Sequence, residues 1–150
     1  CEYMGFSTTS IASSDTFAAL QTGVVEGLAG STPAGAYLNY RDIIDYYYVY
    51  QMSPEVTQIM ISEKTLAKLS PEDQKTIVDI CRQECDNSVN YAKEEDEKYL
   101  KLMEDNGIKI VRFSDEEIEM FAEAVRTDVW PKLAKTYGED FINDLLKLYK

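Results

Sequence analysis

From Pro71 to Gly107 the chain contains no further proline and no glycine, and that absence constrains its fold more than any other feature. Ser70 stands where a helix cap is wanted, Pro71 at the first helical position, and Glu72 and Asp73 in the first turn, where acids suit the helix dipole. About 36 residues at 1.5 Å each predict one helix of roughly 54 Å. Its ends are apolar (Ile77, Val78, Ile80 and Cys81, then Tyr99, Leu100 and Met103), whereas its centre from Asn87 to Lys98 is mostly polar. A long helix that is wet in the middle bridges two packed regions. A coiled coil would need a sustained a/d repeat, which is missing.

The segments around this helix alternate between strand and helix patterns. Glu2 to Ile11 reads as a strand. Ser14 is placed to cap a helix carrying Phe17, Leu20 and Val24 at helical spacing, and Gly23 to end it in the left-handed conformation. Val24 to Gly27 then reads as a short strand. Ser31-Thr32-Pro33 opens a helix through Ile43 or Ile44. Asp45 to Ile61 is rich in aromatic and β-branched residues and reads as one long strand, or two broken at Ser53-Pro54. Leu66 to Leu69 is a short connecting helix, and Ile108 to Phe113 a strand. Ser114 with Glu117 three residues on spells a capping box, followed by the apolar stripe Ile118, Phe121, Val125, Val129 and Leu133. Pro131 interrupts that helix after Trp130, Gly138 ends it, and Glu139 to Tyr149 forms a terminal helix. This alternation predicts an α/β fold with a mixed sheet flanked by helices.

Composition narrows the function. Hydrophobic residues at 45% and charged residues at 28% are ordinary for a folded chain of 150 residues, so disorder is not expected and one domain is the simplest organisation. The net charge of -12 argues against nucleic acid and against an anionic membrane surface, both of which select clustered Lys and Arg. With no histidine, Ser-His-Asp and Cys-His catalysis and the commonest zinc ligand are excluded. Carboxylates such as Asp42 and Asp45 are the remaining route to an enzyme, and nothing in the spacing fixes such a pair. The cysteines Cys1, Cys81 and Cys85 show no metal spacing, and Cys81 and Cys85 read as small apolar fillers on one helix face. No apolar run reaches the ~20 residues of a membrane helix, and no signal peptide is visible.

One stretch carries a family signature. Ala19-Leu20-Gln21-Thr22-Gly23-Val24-Val25-Glu26-Gly27 closely resembles the "ALQTGVVDG" motif of solute-binding subunits of TRAP (tripartite ATP-independent periplasmic) transporters, with Glu26 in place of Asp. The resemblance continues in order: the aromatic run Tyr46 to Met52 leading into the hinge, Ile59 to Gln74 with Leu69-Ser70-Pro71-Glu72-Asp73-Gln74 at the head of the long helix, and the strand Asn106 to Val111 after it. It covers most of the chain, from about Ser13 to about Gly138.

What the resemblance implies is specific. The fold would be part of a two-lobed periplasmic solute-binding protein, with residues 1–150 its C-terminal half: the second lobe, the long lobe-spanning helix and the C-terminal helices. The family is roughly twice this length, so its carboxylate-pairing arginine would lie upstream of Cys1, and Cys1 would fall mid-domain rather than at a lipidated N-terminus. The implied function is capture of a small, carboxylate-bearing solute on the periplasmic or extracellular face of the cytoplasmic membrane, and its delivery to membrane permease subunits, with no catalytic role, cofactor or metal. The implied solute contacts are Ser13, Gly30, Ser31, Tyr50, Gln51 and Met52. At Gly30 the family commonly has an asparagine that faces the solute, and at Ser13 often an aromatic. The free N–H groups at the start of the helix after Ser31-Thr32-Pro33 would offer a carboxylate a partner in the asparagine's place. The tyrosines of the aromatic run otherwise read as core packing with satisfied hydroxyls. The acidic run Glu94-Glu95-Asp96-Glu97 reads as a solvated helix face, or as a docking surface for the permease. Apolar surface left by a missing half would favour a dimer. The alternative is a stand-alone acidic helical interaction module built on the long helix.

Overall fold

The computed structural model describes residues 1–50, 56 and 58–149. Its elements are α1 (Ser13–Gln21), α2 (Pro33–Tyr40), β1 (Tyr46–Val49), α3 (Glu63–Leu66), α4 (Pro71–Asp105), β2 (Lys109–Arg112), α5 (Asp115–Asp128), α6 (Trp130–Tyr137) and α7 (Glu139–Lys147), preceded by a single 3-10 turn at Glu2–Met4. Helix dominates. The two strands pair in parallel as a two-stranded sheet. Parallel neighbours need a long crossover, and here α3 and α4 supply it. The architecture is α/β in the broad sense, but among the described residues the expected mixed sheet is this one parallel pair.

The chain divides into two compact units, one of Cys1–Thr16, Tyr48–Gln51 and Val111–Lys150, the other of Phe17–Tyr47 and Met52–Ile110. In the second unit the core lies where the C-terminal end of α4 packs on α2. Ala36, Leu100, Met103 and Ile108 are buried there, and the rings of Tyr37 and Tyr99 meet at 5.8 Å. In the first unit α5 packs on α6 and α6 on α7, with Ile142 of α7 buried. Trp130 meets Tyr149 edge-on at 5.7 Å, and the Arg126 guanidinium lies 4.6 Å from the Tyr149 ring.

The long helix forms where the sequence predicts it, and its C-terminal end, where Leu100 and Met103 are buried, packs on α2. Its 35 residues begin at the Ser70 cap, whose hydroxyl accepts the Asp73 N–H at 3.1 Å. Its end is set by Gly107 in the left-handed region at φ 88°, with the Gly107 N–H donating to the Glu104 carbonyl at 2.9 Å and the Ile108 N–H to the Met103 carbonyl at 2.9 Å. That pair of bonds satisfies carbonyls the helix would otherwise leave open, and Ile108 and Met103, both buried, supply the apolar contact that goes with it. Between Arg82 and Lys98 every residue except Asn87 is exposed. The capping box at the head of α5 forms in both directions, Glu117 N–H to Ser114 Oγ at 3.2 Å and Ser114 N–H to Glu117 Oε2 at 2.8 Å. The chain turns at Val129, between α5 and α6, with Pro131 in the first turn of α6.

Several local expectations are corrected. Glu2 to Ile11 is not a strand: Gly5 closes the 3-10 turn by donating to the Glu2 carbonyl, and Thr8 donates its hydroxyl to the Glu2 carboxylate. Such local bonds compete with strand pairing. Helix α1 starts two residues earlier than predicted, at Ser13, and the Ser14 hydroxyl bonds the Asp15 carboxylate instead of capping. Gly23 ends α1 with positive φ as expected, but Val24 to Gly27 is not a strand, because the Val25 N–H turns back to the Ala19 carbonyl at 3.3 Å. Helix α2 stops at Tyr40 rather than Ile43 or Ile44: the N–H groups of Ile43 and Ile44 both converge on the Tyr40 carbonyl, closing a turn. Among the described residues the strand predicted over Asp45 to Ile61 is present only at Tyr46–Val49, and its proposed break at Ser53-Pro54 lies outside them. The connecting helix lies earlier, at Glu63–Leu66, because Ser62 caps it by accepting the Thr65 N–H.

Candidate functional site

The corner that opens α2 is built from four short-range features. Gly30 adopts φ 92°, a conformation that an L side chain resists. Thr32 is the N-cap, its Oγ1 accepting the Gly35 N–H at 3.1 Å, and Pro33 follows at the first helical position. The Ser31 hydroxyl donates to the Thr32 carbonyl at 3.3 Å. A side chain at Gly35 would meet Ser31 Oγ at 3.0 Å and Thr32 Oγ1 at 3.3 Å, so the absence of one lets the corner fold down on the helix. From β1, the Tyr47 hydroxyl donates to the Ser31 carbonyl at 2.9 Å. Tyr47 is half-buried, and burial, with the Asp96 carboxylate second, raises its phenol above the ordinary value.

Tyr50 is half-buried in the other unit within an aromatic group. Its ring stacks on Phe113 at 4.5 Å, meets Phe121 edge-on at 5.7 Å and lies 6.0 Å from Tyr48. It borders a pocket of about 300 Å³ together with Tyr3, Phe6, Phe121, Ala124 and Val125. The Tyr3 hydroxyl donates to the Asp128 carboxylate, which raises the Tyr3 phenol. A larger cleft of about 580 Å³ is bordered by residues of α5, α6 and α7, among them Glu123, Arg126, Asp140 and Asp144. Its Arg126 is held by Glu119 at 2.6 Å and Glu123 at 3.6 Å, and it contains none of the residues singled out in the sequence.

Of those residues, Gly30 and Ser31 are brought together at the α2 corner. Ser13, exposed at the first position of α1, and Tyr50 belong to the other unit. Gln51 and Met52 lie outside the described residues. Alternation along β1 is visible: Tyr46 and Tyr48 are exposed, and Tyr47 takes the opposite, half-buried face. The sequence did not single out Tyr47 as a partner of Ser31. Its place on the face opposite Tyr46 and Tyr48 was the available signal. Asp42 is exposed beside Arg41 at 3.9 Å, and the Asp45 backbone carbonyl accepts the Lys109 N–H at 2.9 Å.

The family model described as DctP, bacterial extracellular solute-binding protein, family 7, matches residues 1–136. The chain belongs to that family. Among curated proteins and among solved structures, none matches. Family 7 comprises the solute-binding components of TRAP transporters, which work outside the cytoplasm. Among the described residues, no helix is long and apolar enough to cross a membrane. For a family 7 chain the α2 corner has an evident chemistry. Pro33 carries no N–H, and the Gly35 and Ala36 N–H groups are taken by Thr32 Oγ1 and the Thr32 carbonyl, so what the corner offers an anion is the positive end of the helix dipole beside the Ser31 side chain rather than the row of free N–H groups expected from the sequence. Tyr50 and its neighbours present ring faces.

Proposed function

We propose that this chain captures a small carboxylate-bearing solute and delivers it to the membrane permease subunits of a TRAP transporter. The family match over residues 1–136 carries the reading. Within it, residues 1–150 would supply the second lobe, the long helix α4 and the C-terminal helices, and the lobes would close on the solute by hinge motion. Ser13, Gly30, Ser31, Tyr50, Gln51 and Met52 are assigned as solute contacts. The assignment of Gly30 and Ser31 is supported by the capped corner at the head of α2, where the positive end of the helix dipole suits an anion. That of Tyr50 is supported by its ring standing at the edge of a pocket.

Calorimetric titration of the protein, expressed with whatever precedes it in its gene, tests the reading with succinate, pyruvate and benzoate as probes. Binding of at least one, weakened about tenfold in Ser31→Ala, is expected. Binding that Ser31→Ala leaves untouched counts against the assigned contact. A second reading keeps one observation in its favour. The exposed centre of α4 is the surface that a stand-alone acidic interaction module would use. It predicts self-association of the isolated chain and no response to any small solute.

A further inference from the structure

We propose that Tyr47 is a positioning residue for solute binding: from the half-buried face of β1 it fixes the Ser31 carbonyl and so sets the direction in which the Gly30-Ser31-Thr32 corner points. The inference rests on the reading that this corner contacts solute. Its geometry is independent of that reading. The corner is not held by regular secondary structure on its N-terminal side, because residues 22–32 contain no strand or helix. Gly30 at φ 92° occupies a conformation open chiefly to glycine, the residue with the most backbone freedom to lose. Two contacts oppose that freedom. On the helix side, Thr32 is tied to Gly35 at 3.1 Å, and the missing side chain of Gly35 makes room for Ser31. On the sheet side, Tyr47 is the tie, and the 2.9 Å bond spans 16 residues of sequence.

The chemistry of the tie matters. A phenol on a paired strand is a rigid donor with two rotatable bonds, and its ring is half-buried, so the hydroxyl reaches Ser31 from a fixed origin. With the Ser31 carbonyl drawn to Tyr47, the peptide plane between Ser31 and Thr32 is fixed. The Thr32 N–H is then held in one direction, and the Ser31 side chain with it. A binding group pre-oriented in this way loses little freedom when solute arrives. Tyr47 touches no solute in this account. It acts through Ser31.

Two measurements on Tyr47→Phe decide the matter. The first needs no solute. Amide hydrogen exchange at Gly35, whose N–H is held by the Thr32 cap, should quicken at least fivefold in Tyr47→Phe, while the amides of the α4 C-terminal turn are unchanged. Unchanged exchange at Gly35 overturns the proposal. The second is a double-mutant cycle on the dissociation constants of succinate, pyruvate and benzoate. Tyr47→Phe alone should weaken binding five- to tenfold. Ser31→Ala should cost far less in the Tyr47→Phe background than in the parent, because the hydroxyl is by then already misdirected. A purely structural tyrosine would give independent, multiplicative effects, and that outcome also overturns the proposal. If the parent binds none of the three probes while Gly35 exchange quickens, the solute reading fails for those probes and the clamp itself stands.

Discussion

Replacing Met103 by alanine should cost far more stability than any truncation in the centre of the same helix. Met103 is fully buried at 0% exposure, beside Leu100 at 2%, where α4 packs on α2. Removing its side chain forfeits the transfer free energy of a buried thioether and leaves a cavity, and together these cost about 2–5 kcal/mol. For a chain of this size each kcal/mol lowers the melting midpoint by about 2–4 °C, so a fall of roughly 4–20 °C is expected. Val89, 73% exposed on the wet stretch of α4, is the control, and Val89→Ala should change stability by less than about 0.5 kcal/mol. Urea and thermal unfolding followed by helical circular dichroism measure both. The reasoning is refuted if Val89→Ala costs as much as Met103→Ala, since the centre of α4 would then be packed rather than solvated. It is refuted equally if Met103→Ala lies within 0.5 kcal/mol of the parent.

Three further perturbations follow from local geometry. Ser114→Ala removes one arm of the capping box and should cost about 1 kcal/mol, read as a drop in the melting midpoint of about 2–4 °C. Gly107→Ala should cost about 1–2 kcal/mol although a methyl group there meets nothing within 4 Å, because the penalty comes from φ 88° alone. A loss under a few tenths of a kcal/mol in the same unfolding assay would contradict that. Burial favours the neutral phenol of Tyr47 in the folded chain and raises its folded value above the ordinary 10.0. The stabilisation is therefore fully present below pH 10 and is lost as pH rises through the folded value. Chemical-shift titration of ring-labelled tyrosine should show Tyr47 ionising above the ordinary 10.0, and a Tyr47 that ionises at or below that value would contradict the half-buried clamp.

Helix ends were the most legible part of the fold. Ser70, Ser114 and Gly107 each act through a partner within five residues, so sequence spacing carries the information. Strands were the least legible. Tyr3 and Phe6 have the composition of a strand, yet Gly5 and the Thr8–Glu2 bond settle that segment locally as a turn. Val24 and Val25 have high strand propensity, and a single backbone bond from Val25 to Ala19 overrides it. The site divides in the same way. The cap at Thr32 and Pro33 was visible because it is local. The Tyr47–Ser31 bond spans 16 residues, and only the strand alternation hinted at which tyrosine turned inward.

The central claim is that this family 7 chain binds a small carboxylate, and thermal unfolding against a panel of small carboxylates and neutral metabolites tests it most directly. The protein is measured with whatever precedes it in its gene. A solute present at a hundredfold its dissociation constant stabilises the folded state by about 2.7 kcal/mol, which corresponds to a rise in the melting midpoint of roughly 5–10 °C. The account predicts such a rise with at least one carboxylate and none with its uncharged amide or ester. No shift with any compound, together with a cooperative transition and self-association of the 150-residue chain alone, would contradict it and favour the interaction module.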